Sequence, residues 1–415
     1  MKILIYGLNY APEPIGIGRY TGEMAQWLAA RGHDVRVVTA PPYYPAWRLG
    51  EGYRGWCYGF ERMAGVRVAR CPLWVPSRRS GLNRLLHLAS FAITSFPIVL
   101  GQALTFRPDV VLSVAPALAC APGGWLAAGL ARLAGGRGKG WLHIQDFEVD
   151  AAFDLGLLKS PYLRNLALAA ERFLLGRFDV VSTITGAMRE KLTAKGVREE
   201  NAVLFPNWAD TEKIRPMSAD NPDLIALSAE LAIPKTSKVA LYAGNIGEKQ
   251  GLEILVEAAR LLEPKTDILL LVCGDGAAAS RLARLARGLD NIRFLPLQDG
   301  PRFNLLLNLA HMHLLPQRAE VEDLVMPSKL GAMLASGRPV VAAAKPGTGI
   351  AEAVRGCGLV VPPQNALALA EAVEKLADDD EMAEKLGQAA RKRAEIEWNG
   401  KKILERLEAA LLALT

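Results

Sequence analysis

The feature that most constrains this chain is an alternation that runs twice. Short apolar runs of strand length occur at Ile3–Tyr6, Val35–Thr39, Val66–Cys71, Asp109–Val114, Trp141–Ile144, Val180–Thr183 and Val203–Phe205. Between them lie segments with helical spacing, such as Gly22–Arg31, Pro161–Gly176 and Gly186–Lys195. From Pro206 to Lys238 the pattern stops, and Pro206, Pro216, Pro222 and Pro234 punctuate a polar stretch. It then restarts with strand-like runs at Val239–Ala243, Ile268–Cys273, Ile292–Phe294 and Met312–Pro316, followed by apolar runs at Val340 and Leu359. Helical segments at Leu252–Leu262, Ala278–Arg287, Phe303–Leu309, Lys329–Ser336, Ala366–Leu376 and Glu381–Arg393 complete it. Continuous apolar strands joined through helices build parallel sheets covered on both faces. The chain therefore reads as two doubly wound α/β domains, with the junction at 205/206. Its 415 residues exceed what one core usually encloses.

Composition narrows the setting. Cys57, Cys71, Cys120, Cys273 and Cys357 are scattered, odd in number and without CxxC spacing. That pattern fits a reduced cytoplasmic protein and neither a disulfide framework nor a zinc site. Met1-Lys2 leads straight into ILIYG, which is too short for the apolar core of a secretory signal. Residues 1–205 hold 24 Lys/Arg against 15 Asp/Glu, whereas the remainder has an acidic excess. Arg48, Arg54, Arg62, Arg67, Arg70, Arg78, Arg79 and Arg84 supply much of the basic surplus. Such a half is either an ordinary solvated surface or one attracted to phosphate. The basic residues lack interleaved aromatics on a recognisable module, so nucleic acid is not an expected partner. Leu85–Phe106 contains no charged residue and is long enough to span a bilayer. His87, Ser90 and Thr94 fall at helical spacing within it, so it reads either as a buried helix or as one lying on an anionic membrane.

Five segments can carry chemistry. The loop Gly7–Gly18 brings Gly16 and Gly18 to a helix start, where a phosphate can approach closely. It is too long for a dinucleotide turn, and strand two ends in Thr39-Ala40-Pro41-Pro42 without a ribose-binding acid. In His143-Ile-Gln-Asp146, strand alternation puts His143 and Gln145 on one face, and Asp146 at the carboxyl end. Asp146 there can orient a sugar hydroxyl or take an acceptor proton; His143 is either its neighbour in catalysis or a satisfied core residue. Gly244–Gly251, with Asn245 and Lys249, joins a strand to a helix, and Lys249 is either a diphosphate clamp or a solvated side chain. Gly274-Asp275-Gly276 reads as a wall of a nucleotide pocket. The fifth segment is QRAEVEDLVMPSKLGAMLASGRP, an acidic loop opening into a helix at Pro327–Lys329, with Glu320, Glu322, Asp323, Ser328 and Lys329 as candidates. No His/Asp/Glu cluster has metal-ligand spacing, no Walker motif occurs, and Asp378–Asp380 reads as a helix cap.

Taken together, GLNYAPEPIGIGRYTGEMAQWLAARGHDVRVVTAPPYYP, IQDFEVDAAFDLGLL, YAGNIGEKQGLE and MPSKLGAMLASGRPVVA resemble the retaining glycosyltransferases of the GT-B fold, family 4. The particular forms are similar to the colanic-acid-type fucosyltransferase branch of exopolysaccharide assembly. The resemblance covers the whole chain. It implies two Rossmann-like domains facing a cleft, with residues 396–415 returning to the N-terminal domain and 206–395 binding the donor. Gly16 and Gly18 would lie near the donor diphosphate, Asp146 at the donor sugar, Lys249 on the phosphates, and backbone around Leu297 at the base. It further implies metal-independent, cofactor-free transfer of a sugar, fucose among the candidates, from a nucleoside diphosphate donor. GDP is favoured over UDP. The implied acceptor is a lipid-linked glycan, and the implied location is the cytoplasmic face of the inner membrane, with peripheral contact. Many relatives carry two glutamates eight residues apart; here Leu324 and Ala332 stand at those places, so a ribose contact falls to Glu320 or Glu322. Many relatives also have an arginine where Asn245 stands, and the usual lysine falls where Gln250 follows Lys249. A sugar-nucleotide epimerase or hydrolase on the same scaffold, and a non-catalytic nucleotide-sugar-binding protein, are the alternative functions.

Overall fold

The structure, a computed structural model, describes residues 1–77, 81–115, 117–147, 161–247, 250–298, 300–318 and 327–415, the side chains of 117, 118, 161 and 163 excepted. Two compact units emerge: Met1–Asn207 with Lys402–Thr415, and Trp208–Lys401.

The first unit is built on an eight-stranded sheet. In chain order its strands are β1 (Lys2–Gly7), β2 (Asp34–Thr39), β3 (Gly59–Met63), β4 (Val66–Arg70), β5 (Val110–Val114), β6 (Lys139–Ile144), β7 (Val180–Thr183) and β8 (Ala202–Leu204). They lie in the order β3-β4-β2-β1-β5-β6-β7-β8. Every pairing is parallel except β3 with β4. That hairpin turns at Ala64-Gly65, both with positive φ (45° and 84°), the backbone a two-residue hairpin needs. The alternation did not predict β3. It is an edge strand with Phe60 73% exposed, and an edge lacks the apolar run of a central strand.

The helices of this unit are α1 (Gly16–Ala30), α2 (Gly81–Phe106), α3 (Ala117–Leu133), α4 (Pro161–Leu175) and α5 (Gly186–Ala194). α1 begins six residues before the expected start, taking Gly16 and Gly18 out of the loop and into its first turn. α3 lacks a polar stripe and contains Pro122, so its period does not announce it. Its Gly123 and Gly124 pack on Tyr6 and Ser113, where a Cβ would not fit beside Ser113.

The second unit restarts the scheme with β9 (Lys238–Ala243), β10 (Ile268–Cys273), β11 (Ile292–Leu295), β12 (Met312–Pro316), β13 (Val340–Ala343) and β14 (Gly358–Val361). This sheet is wholly parallel, in the order β11-β10-β9-β12-β13-β14. β10 and β12 are buried along their whole length, as strands covered on both faces must be. The helices are α6 (Pro222–Glu230), α7 (Glu253–Leu261), α8 (Ala279–Leu285), α9 (Gly300–Leu309), α10 (Leu330–Ala335), α11 (Gly349–Val354), α12 (Ala366–Asp378) and α13 (Asp380–Glu397). α6 lies inside the stretch read as an irregular junction. Pro222, taken as a breaker, is its first residue, and Asn221 accepts the Asp223 and Leu224 amides as N-cap. Asp379 caps α13 by accepting the Met382 amide at 2.8 Å, the role expected of the acidic triplet. The last helix, α14 (Gly400–Leu414), returns to the first unit, where Glu408 meets Arg31 and His33.

Candidate active site

In an open parallel sheet, ligands bind beyond the carboxyl ends of the strands, where the strand order reverses. In the second unit that reversal lies between β9 and β12. Only Met312 and His313 of β12 pair with β9, at Ala240 and Leu241. The two strands therefore part company over their last residues, and the loops after them frame an opening.

The loop after β9 is locked by backbone contacts to the loop after β10, and that one to the end of β11. The Gly244 amide donates to the Cys273 carbonyl at 2.9 Å, the Ile246 amide to Asp275 at 2.8 Å, and the Gly274 amide to Leu295 at 3.0 Å. Gly274 has φ 150°, and a Cβ on it would stand 1.9 Å from the Gly244 carbonyl oxygen. No other residue fits between these two loops. The glycines of both motifs thus hold adjacent strand ends in contact, which gives them a structural cause independent of any ligand.

Lys329 enters this frame from the residue before α10. Its Nζ lies 3.8 Å from the centroid of the Tyr242 ring, and its stem packs where a Gly244 Cβ would sit. Burial pushes its pKa down to about 7. Among the described residues no carboxylate pairs with it, and the ring face meets the ammonium directly. The Tyr242 hydroxyl, held protonated by burial, donates to the Asn245 carbonyl at 2.6 Å and keeps the loop shaped around the ammonium. A desolvated cation of this kind is poised to accept an anion.

Around this centre, Asn245, Asp275 and Ser328 are exposed, Leu297 is 65% exposed, and Gly274 is half-buried. The structure brings Asn245, Gly274, Asp275 and Lys329 to one edge, with Leu297 in the next loop, after β11. Lys249, Glu320, Glu322 and Asp323 lie outside the described residues. The helix expected to open at Pro327 starts at Leu330 and has six residues, so its dipole is that of a turn and a half.

Sequence reasoning missed the acidic and basic partners behind this edge. Glu253, at the start of α7, accepts Arg281 at 2.5 Å and Arg318 at 3.3 Å. Burial opposes its charge, but its own amide and the two guanidiniums hold the carboxyl below the usual glutamate range. Arg318 in turn lies over Gly251.

In the first unit the order reverses between β1 and β5. Gly16 has φ 65° and faces Tyr44, and Gly18 sits directly on Glu13. Glu13 is 4% exposed and accepts the amides of Tyr43 at 3.1 Å and Tyr44 at 3.0 Å, and the Asn9 amide group at 2.9 Å. Burial pushes its pKa up, against those donors. It pins the loop after β2 to the loop after β1. An acid between two prolines in an apolar loop was the available signal. Asp146 lies half-buried just past β6. His143 does not join it at a surface. It is 3% exposed, packed at a tilt against the Phe205 ring, and its Nδ1 meets Ser182 Oγ at 2.9 Å. Ser182 accepts the Trp141 indole N–H, so its own proton points to Nδ1; burial lowers the imidazole pKa to about 3. In this structure His143 therefore sits in the core, with its imidazole held neutral by burial.

Comparison with known proteins extends this geometry. A family described as "Glycosyl transferase 4-like domain" matches residues 16–208, and "Glycosyl transferases group 1" matches 225–393. The "Putative colanic acid biosynthesis glycosyl transferase WcaI" of Escherichia coli K12 is 45% identical over 383 residues, 90% of this chain and 92% of that one. The chain belongs to the GT-B glycosyltransferases of family 4. Solved structures agree in fold. Sucrose-phosphate synthase of Thermosynechococcus elongatus superposes with TM-score 0.71 at 18% identity over the whole of both chains. Anabaena HepE in complex with UDP-glucose gives TM-score 0.71 at 17% identity, also over both chains.

Proposed function

We propose that this glycosyltransferase moves a sugar from a nucleoside diphosphate donor to a lipid-linked oligosaccharide in exopolysaccharide assembly. GDP is the favoured donor nucleotide and fucose is a candidate sugar. Its relation to the Escherichia coli protein named for colanic acid biosynthesis supports the pathway class. The observation that carries the donor reading is the Lys329 ammonium, enclosed between the Tyr242 ring and the Gly244 loop without a carboxylate partner among the described residues. A donor diphosphate is a partner of the charge and reach this ammonium can meet.

In the proposed reaction the acceptor oxygen bonds to the anomeric carbon on the face from which the diphosphate leaves. The carbon–oxygen bond to the diphosphate breaks, and the acceptor proton passes to the departing oxygen. Configuration is retained, and Lys249 with Lys329 balances the leaving charge without a metal ion. Asp146 orients a sugar hydroxyl. Removing one such stabilising group costs about 10²–10³-fold in rate. Lys249→Ala therefore lowers turnover to that extent while the melting temperature stays near wild type; an undiminished rate removes Lys249 from the reaction.

We also place the enzyme on the cytoplasmic face of the inner membrane. α2 is long and apolar enough, by length and composition, to cross a membrane. Its buried face carries His87, Phe91, Ser95, Val99, Ala103 and Phe106. The opposite face exposes Leu82, Leu85, Leu86, Ile93, Phe96 and Leu104, an apolar stripe at helical spacing. A helix lying flat on lipid has this second stripe.

Thermal shift with GDP, UDP, ADP and their sugars tests the donor. A ligand at 100 times its Kd adds about 2.7 kcal/mol of stability. A GDP-sugar is expected to give the largest rise, and no rise with any nucleoside diphosphate sinks the donor reading.

A further inference from the structure

An open groove of about 720 Å³ lies in the first unit, between the segments that follow β2 and β4 and the helix α2. Its walls are the indoles of Trp47, Trp56 and Trp74, with Leu49, Leu73 and Val75. Trp56 is 76% and Trp74 45% exposed, an unusual cost for the two largest apolar side chains. The groove is firmly built. Trp74 donates its amide to Ser90 Oγ at 3.1 Å and accepts His87 Nδ1 at 2.7 Å, while Thr94 donates to the Pro72 carbonyl at 2.6 Å. Trp47 has φ 54°, a conformation disfavoured for a bulky residue, and makes an edge contact with Tyr43 and a tilted one with His87.

Its position on α2 is specific. Ser90 and Thr94 line the groove and sit on the shoulder of the helix, between its buried face and the exposed stripe of Leu86, Ile93 and Phe96. A chain leaving the apolar stripe would cross that shoulder into the groove. Two cations flank the path: Arg48 forms part of the wall, and Arg54 lies over the Trp56 ring at 5.7 Å.

We propose that this groove binds the isoprenoid chain of a prenyl-phosphate lipid, the carrier end of the acceptor, with Arg48 and Arg54 meeting its phosphates. The inference rests on the lipid-linked acceptor reading and assigns where the lipid is held. An apolar channel with indole walls suits an unsaturated hydrocarbon. Arginines at its mouth suit the phosphate that ends such a chain and exclude a neutral lipid. The groove also explains why the apolar stripe and the indoles adjoin: the first meets the bilayer, and the second draws one chain out of it.

The test is tryptophan fluorescence of the full-length protein titrated with farnesyl diphosphate. Inorganic pyrophosphate and farnesol serve as separate arms. Farnesyl diphosphate is expected to shift the emission and saturate, with weaker binding in either control arm. Trp56→Ala and Trp74→Ala should each weaken that binding by about ten-fold, the loss of one large apolar contact. Arg48→Gln should weaken farnesyl diphosphate and leave farnesol unchanged. Circular dichroism and melting verify that each variant is folded; Trp56, being so exposed, is the variant least able to disturb the core. Binding unchanged in both tryptophan variants overturns the proposal, as does pyrophosphate binding as tightly as the prenyl compound. Flotation on anionic vesicles lacking prenyl lipid separates the two readings. Variants that float yet still bind farnesyl diphosphate as wild type refute the groove alone. Wild-type protein that binds farnesyl diphosphate but does not float refutes the membrane surface alone.

Discussion

Lys329 concentrates the chemistry of the second unit in one side chain. Its pKa is lowered to about 7 from 10.5, so between those values the unfolded chain holds a proton that the folded protein does not. Stability of the free protein therefore rises with pH across that window and is depressed below pH 7. Lys329→Met is expected to raise the melting temperature of the free protein at pH 6 while weakening donor binding, a separation of stability from function. A bound diphosphate restores the charge, so binding takes up a proton above pH 7. Calorimetry of a nucleoside diphosphate sugar at pH 8, in buffers of different ionisation enthalpy, should detect this uptake in wild type and lose it in Lys329→Met. Equal uptake in both would separate Lys329 from the phosphates. Gly18 poses a contest of two effects. Alanine in a helix is worth about 1 kcal/mol over glycine. Here its Cβ would stand 2.3 Å from the Glu13 carboxylate and 2.7 Å from the Glu13 Cβ. Displacing Glu13 strands the Tyr43 and Tyr44 amides, at about 1–3 kcal/mol. Gly18→Ala should thus lower stability in urea unfolding, against its helix propensity.

At the scale of elements, α2 shows why hydropathy alone left two readings open. In the structure the face at His87, Phe91, Ser95 and Val99 is core, and the face at Leu82, Leu86 and Ile93 is open. A stretch apolar on all sides carries no period to say which face is covered. The double substitution Leu86→Glu with Ile93→Glu removes apolar area only from the open face. It should abolish flotation with anionic vesicles at low salt and leave the unfolding free energy within about 0.5 kcal/mol of wild type, as for other surface changes. A loss of folding instead would mean that the stripe is covered by protein. α6 teaches the converse lesson. Pro222 ends a pattern when read alone and begins a helix when Asn221 caps it.

For the whole molecule, α14 ties the end of the chain to the first unit. Glu408 accepts His33 at 2.8 Å and Arg31 at 3.2 Å. Burial works against its charge, yet these donors lower its pKa below the usual 4.5. A depressed carboxylate stabilises the fold above its unfolded pKa and loses that contribution as pH falls through the folded value. Glu408→Gln should therefore cost about 1–2 kcal/mol at pH 7 and little near pH 3, measured by urea unfolding at both. An equal loss at both pH values would assign the effect to packing instead of charge.

The amino-acid sequence by itself determined the two α/β units and most of their elements. Fully buried parallel strands need unbroken apolar runs such as ILLLVC, and the helices between them need a stripe, so both signals are local. It also placed the glycine-bearing loops at strand ends, because only glycine accepts the backbone found at Gly274. Tertiary structure alone decided what those residues touch. Nothing local distinguishes His143, enclosed by Ser182 and Phe205, from a surface histidine. Nothing local joins Lys329 to Tyr242, 87 positions earlier, or sets Glu13 beneath Gly18 and behind Tyr43. Burial and charge are properties of a neighbourhood, and the neighbourhood is assembled from distant segments only when the sheets close.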